Sequence, residues 1–179
     1  IPAGENGLRK MLAYHMGWEG EGAGTQAQGK RIRSLLLLLC CGVLEENWEK
    51  ALPAAAAVEY IHNFSLIHDD IQDKSQIRRG RQTVWVNWGI PQAINAGDLM
   101  FSLAFLTLSR LQETTSIIVS QNAANRLQQT CIELIQGQYL DLSYEDEENL
   151  SLQDYWPMIN GKTAALLGCC TELGALVAG

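Results

Sequence analysis

Apolar residues recur along this chain at three- and four-residue intervals, the spacing of one helix face, and nowhere in the sustained alternation that marks a strand. The pattern predicts a short amphipathic helix over Leu8–Trp18, with Leu8, Met11, Leu12 and Met16 on one side. Residues 1–7 read as a lead-in. Gly20–Gly29, rich in Gly, Gln and Thr, is the clearest loop. A second helix is expected from Lys30 through KRIRSLLLLLCCGVL, and a third over Trp48–Lys74 with Pro53 in its first turns. A fourth follows Pro91, from Gln92 to about Leu111. The next, capped by Thr114 or Thr115, runs to about Leu142. The last spans Leu152–Val177, with Pro157 early and Ala164, Ala165, Gly168 and Gly174 later. Thr83–Gly89 is expected to be irregular, and Tyr144–Asn149 a solvated acidic connection. The expected fold is all-α: one helical bundle domain over residues 1–179 with no internal boundary.

Composition narrows this picture. The chain has 179 residues, 47% hydrophobic and 18% charged, enough for a core of its own. A net charge of −7 argues against a nucleic-acid or anionic-membrane surface. Any phosphate must therefore bind locally, through metals and a few placed cations. Cys40, Cys41, Cys131, Cys169 and Cys170 show no CxxC spacing and are odd in number, which fits buried free thiols in a reducing cytoplasm. The most apolar run, Leu35–Leu44, is too short to span a bilayer and too far inside the chain for a signal peptide, so no membrane span is expected.

The chemistry concentrates between Tyr60 and Trp85, YIHNFSLIHDDIQDKSQIRRGRQTVW. At about 100° per residue, Asp69 and Asp73 lie within about 40° of each other, one turn apart. Asp70 sits beside them, and His62 falls on nearly the same stripe. Crowded carboxylates repel. A hard cation such as Mg2+ relieves that repulsion, keeping waters and sharing phosphate oxygens with one or two carboxylates. Arg78 and Arg79 follow, and their planar forks suit the same phosphates. DDxxD alone reads equally well as an acidic, solvated helix end.

Other segments carry paired meanings too. Lys30, Arg31 and Arg33 crowd a helix start that disfavours cations, a cost a bound anion would offset; a solvated basic start reads as well. Gln138 and Asp141 lie three apart on one apolar helix, and Lys162 and Thr163 follow Gly161 in another. Each pair alone fits a structural role better than a functional one.

Taken in order, GKRIR, His62, LIHDDIQD, RRG, GQYLD and MINGKTAAL resemble the trans-isoprenyl diphosphate synthases, the polyprenyl synthetase family, from Gly29 to the end of the chain. The resemblance implies an isoprenoid-synthase bundle around an apolar cavity. It implies that Asp69, Asp70 and Asp73 bind Mg2+ on an allylic diphosphate, with Arg78, Lys162 and Thr163 contacting that diphosphate and Gln138 and Asp141 near the metal. Lys30, Arg33, His62 and Arg79 would hold the diphosphate of isopentenyl diphosphate. The implied reaction is ionisation of the allylic diphosphate followed by head-to-tail condensation, usually in a cytoplasmic homodimer.

Gln28 stands where the family usually has Gly, and Ser34 where it has Pro. The family's second aspartate-rich motif lies downstream of the Lys-Thr pair and is not in these residues. The segment is therefore expected to be the N-terminal part of a synthase, with C-terminal helices missing, and inactive alone. Phe64, five before Asp69 and about 140° around the helix from it, would form a side wall, while Ser65 blocks nothing beneath Asp69. A farnesyl- to geranylgeranyl-sized product (C15 to C20) is expected. A class I terpene cyclase shares DDxxD but needs no second diphosphate site. A non-catalytic subunit of a heteromeric synthase would keep the fold. An HD-type phosphohydrolase, suggested by His68-Asp69 with His15 and His62 upstream, leaves the basic residues unexplained.

Overall fold

A computed structural model of the chain describes residues 6–145 and 147–179. Most of the 1–7 lead-in, and Asp146 of the acidic connection, lie outside the described residues. The helices are α1 (Asn6–His15), α2 (Ile32–Leu44), α3 (Leu52–Gln72), α4 (Val84–Trp88), α5 (Ile90–Ser109), α6 (Ile117–Tyr144), α7 (Leu152–Ile159) and α8 (Ala165–Ala178). Short 3₁₀ turns at Trp48–Ala51 and Arg110–Glu113 lead into α3 and follow α5. Two-residue strands β1 (Ile77–Arg78) and β2 (Arg81–Gln82) form an antiparallel hairpin. The all-α expectation holds.

Two compact units are present. The first contains residues up to Arg31 together with Glu59–Ala104. Its core gathers Met11 and Leu12 of α1, Met16 just after it, Ile61, Phe64 and Ile67 of α3, Val84, and Ala93, Ala96 and Met100 of α5, all buried. Phe64 meets Phe101 and His68 edge-to-face, each with ring centroids 5.1 Å apart. Tyr14 meets Trp88 the same way, at 5.1 Å. Gly97 is needed in α5 because a Cβ there would lie 2.2 Å from the His68 ring.

The second unit contains Ile32–Val58 and Phe105–Gly179. In α8 the buried residues are Leu166, Cys169, Cys170, Leu173, Gly174 and Val177, a continuous stripe at helical spacing. Gly174 lets α2 approach backbone to backbone, since a Cβ there would fall 2.5 Å from the Leu37 carbonyl oxygen. Arg126 of α6 forks onto Glu172 of α8 and donates to the Thr130 hydroxyl at 2.8 Å. The stretch 152–178 is long and apolar enough by composition to cross a bilayer, and 44% of its most apolar 18-residue window is packed inside the protein.

Several local expectations are corrected. Ile32, not Lys30, opens α2: Gly29 (φ +73°) and Arg31 (φ +49°) are left-handed, so Lys30 and Arg31 precede the helix. Ser116, not Thr114 or Thr115, caps α6, accepting from the Val119 amide at 3.2 Å. The two threonine hydroxyls are occupied instead, Thr114 by the Lys50 carbonyl and Thr115 by the Leu111 carbonyl. Thr83–Gly89 is not irregular but holds α4. The last helix is not continuous, because Asn160–Ala164 forms a π-turn between α7 and α8.

Candidate active site

In the first unit, α3 ends on the acidic motif. The Asp73 amide donates to the Asp69 carbonyl at 2.8 Å, so the helical turn carries on and stacks the two side chains one turn apart. Asp69 is half-buried and Asp73 exposed, a pair of oxygen donors open to solvent. Asp70 lies differently. It is 1% exposed, and its Oδ1 accepts from Arg78 Nε at 2.7 Å. Its Oδ2 is buried with no hydrogen-bond partner. Burial pushes the Asp70 carboxyl up to about 6, with the Arg78 cation and its hydrogen bond opposing, and Asp69 and Asp73 adding a smaller upward push. His62 is half-buried on the same helix.

The two arginines ride on the hairpin. In its register Arg78 faces Arg81, which leaves Arg79 and Gly80 as a two-residue loop. Both loop residues have positive φ, +51° and +75°, as a type I′ turn requires. Arg79 is thus left-handed, an unusual state for a long side chain. Its Nη1 donates to the Ala27 carbonyl at 3.2 Å, and its guanidinium lies flat on Gly29, where a Cβ would be 2.7 Å from Cζ. Burial and the neighbouring Arg78 cation lower its pKa. Lys30, next to Gly29, is exposed, with no hydrogen bond or ion pair among the described residues.

Beneath the hairpin, Tyr14, His15, Ala27, Asp70, Arg78 and Arg79 help line a cavity of about 20 Å³, room for one water. The Nε2 of His15 is buried with no hydrogen-bond partner. Burial first, then the Arg79 and Arg78 cations, lower the His15 pKa to about 3, against a smaller opposing pull from Asn63. His15 is therefore neutral.

In the second unit, Gln138 and Asp141 lie on α6, and Lys162 and Thr163 on the π-turn; all four are half-buried. Lys162 Nζ donates to Asp141 Oδ2. The pair meets because two glycines let backbones touch. A Cβ at Gly137 would lie 2.1 Å from the Lys162 amide nitrogen, and one at Gly161 would lie 2.6 Å from the Glu133 carbonyl oxygen. Arg33 sits half-buried in the first turn of α2.

The structure thus joins Asp70 to Arg78, Arg79 to the Ala27–Gly29 loop, and Lys162 to Asp141. No group of three or more His, Cys, Asp or Glu side chains forms a ready-made metal cage among the described residues. Asp69 and Asp73 nonetheless fit Mg2+, which takes few protein carboxylates and completes its shell with water and phosphate oxygens. Sequence reasoning passed over Arg81, quoted Gly137 only as the first residue of GQYLD, and gave His15 no part in a diphosphate site. Only Gly137 left a signal, as an isolated glycine inside an apolar helix.

Residues 23–179 match the family model described as polyprenyl synthetase. Over 173 residues the chain is 42% identical to a geranylgeranyl diphosphate synthase of Mycobacterium tuberculosis, covering 96% of this chain and 49% of that protein. It is 38% identical to a (2E,6E)-farnesyl diphosphate synthase of Mycobacterium bovis, over 96% of this chain and 47% of that one. The geranylgeranyl pyrophosphate synthetase structure from Geoglobus acetivorans superposes with a TM-score of 0.88 at 34% identity, covering 97% of this chain and 53% of that chain. The chain spans about half the length of the curated relatives it matches.

Proposed function

The chain belongs to the polyprenyl synthetase family, and from that membership we propose that it serves a head-to-tail trans-prenyltransferase, condensing isopentenyl diphosphate with an allylic diphosphate. The observation that carries the reading is the Arg78–Asp70 pair, which fastens a phosphate-binding guanidinium to the aspartate motif at 2.7 Å.

Each residue type has a task. Asp69 and Asp73 would hold Mg2+, which when bound would neutralise charge on the leaving diphosphate. Arg78 would bind that diphosphate; in the second unit Lys162 and Thr163 form a phosphate-binding pair of their own, and Gln138 lies next in the chain to Gly137, on which the Lys162 backbone rests. The Asp70 carboxylate aims Arg78. Lys30, His62 and Arg79 would hold the diphosphate of isopentenyl diphosphate, and Arg33 of the second unit is a further phosphate-binding cation. Stabilising charge that develops on the leaving group is the largest contribution such a protein makes. The allylic C–O bond breaks and its electron pair leaves with the diphosphate. The isopentenyl double bond then attacks the allylic cation, forming the new C–C bond. A proton is lost to the released diphosphate, which regenerates a double bond.

The product is a C15 to C20 diphosphate, in keeping with the names of the geranylgeranyl and farnesyl synthases above. A cytoplasmic homodimer is the expected setting. Ile132, Ile135 and Tyr139, exposed at i, i+3 and i+7 along α6, supply an apolar face suited to a second copy.

The test is incubation of the full-length protein with Mg2+, isopentenyl diphosphate and dimethylallyl, geranyl or farnesyl diphosphate. Consumption of isopentenyl diphosphate into a longer allylic diphosphate is expected. Turnover of the allylic diphosphate without isopentenyl diphosphate would favour a cyclase, and no turnover of either would leave only a subunit role.

A further inference from the structure

Arg81 is buried, at 8% exposure, yet it forms no ion pair among the described residues. Its guanidinium is spent on backbone. Nη1 donates to the Tyr14 carbonyl at 2.6 Å, Nη2 to the Glu19 carbonyl at 2.8 Å and Nε to the Glu21 carbonyl at 2.8 Å. Its Cζ lies 3.8 Å from the Tyr14 ring centroid, a cation–π contact. The Tyr14 hydroxyl returns the contact by donating to the Gln82 carbonyl at 2.9 Å.

The loop is shaped for this side chain. Gly20 and Gly22 both have positive φ, and a Cβ on either would fall 3.2–3.3 Å from Arg81 atoms. The Tyr14 carbonyl lies in the last turn of α1, where a cation is favoured. Three charge-assisted hydrogen bonds from one rigid fork hold three backbone points in fixed relation, which the point charge of a lysine does not do.

The same loop is held again at its far end, where Arg79 binds the Ala27 carbonyl and covers Gly29. Both fastenings come from one six-residue hairpin. We propose that Arg81 is a positioning residue: it locks the 14–29 segment and the 77–82 hairpin into one body, so that Lys30, Arg78 and Arg79 meet a diphosphate in a fixed arrangement. The diphosphate part of this inference rests on the function proposed above.

Full-length wild type, Arg81→Lys, Arg81→Ala and Tyr14→Phe proteins test it by amide hydrogen exchange and by titration with inorganic pyrophosphate in the presence of Mg2+. Arg81→Ala is expected to speed exchange in residues 17–28 and 77–82 together, and to weaken pyrophosphate binding about tenfold, the usual scale for losing a supporting contact. Arg81→Lys should fall in between, and Tyr14→Phe should show a milder form of the same exchange pattern. In the condensation assay, KM for isopentenyl diphosphate should rise more than kcat falls. Faster exchange in only one of the two segments, or a lower melting temperature with unchanged pyrophosphate affinity, overturns the proposal. A wild type that does not bind pyrophosphate counts against the prenyltransferase reading, and the exchange data then decide the locking role alone.

Discussion

Arg78 reaches back eight residues to place its Nε 2.7 Å from Oδ1 of Asp70, and the carboxylate it meets is almost wholly buried while the guanidinium is not. Under the proposed function, the second aspartate of the motif would work through an arginine. Its raised pKa means that the ionised carboxylate is held at a cost to the fold, a cost met for the sake of where Arg78 points.

Asp70→Asn should thus separate stability from activity. The amide keeps an acceptor for Arg78 and removes the buried charge. The melting temperature at pH 7.5 is expected to stay level or rise, while kcat/KM falls about tenfold to a hundredfold, as for other residues that orient a binding group. Thermal melts beside steady-state kinetics check this; a fall of many degrees would contradict it.

Acid stability follows from two groups with opposite signs. His15, lowered to about 3, gives stability that is complete above its unfolded value of 6.5 and lost as pH falls toward 3. Asp70, raised to about 6, gives stability that is complete below 3.8 and lost as pH rises through 6. Between about pH 4 and 6 the two slopes oppose each other. Urea midpoints measured across that range should show the His15→Gln variant losing stability with rising pH relative to wild type. Asp70→Asn should gain with rising pH.

Glycine positions give a sharper contrast. Gly137→Ala puts a Cβ 2.1 Å from the Lys162 amide nitrogen, against backbone that cannot turn aside. It should cost about 1–3 kcal/mol by overpacking and reduce activity by shifting Lys162 from Asp141. Gly168→Ala meets nothing within 4 Å in the interior of α8. It should stabilise by about 0.5–1 kcal/mol through helix propensity alone. Chemical denaturation of both variants compares the two effects directly.

Phe64 is packed against Phe101 and His68 rather than standing free, at 8% exposure. Phe64→Ala in the full-length enzyme is expected to lengthen the product, with a stability loss of about 3–5 kcal/mol for a buried aromatic. Phe64→Leu should show a smaller shift of both. Chromatography of the dephosphorylated products reads the change, and an unchanged product spectrum would remove Phe64 from chain-length control.

The acidic motif, the two arginines and the Lys-Thr pair were legible because side-chain types at fixed spacing survive any backbone detail. The long helices were legible because their apolar stripes are longer than the noise of the pattern, as in α8. What escaped notice depends on backbone geometry. A two-residue strand such as Ile77–Arg78 is too short to show a period. The π-turn at Asn160–Ala164 shifts a helix by part of a turn without changing its composition. Ser116 took the cap from Thr114 and Thr115 because its extended backbone directly precedes Ile117, where the helix begins. Arg81 carries no spacing signal of its own, because its partners are three backbone carbonyls that only the fold brings to it.

The left-handed Arg79 sets a limit on how this protein can be improved. Asn or Gly would suit that turn position better than Arg, and Arg79→Asn should firm the hairpin while removing the guanidinium it carries. Any campaign that ranks substitutions by thermal stability will be drawn to that position, and under the proposed function each gain there would come out of diphosphate affinity.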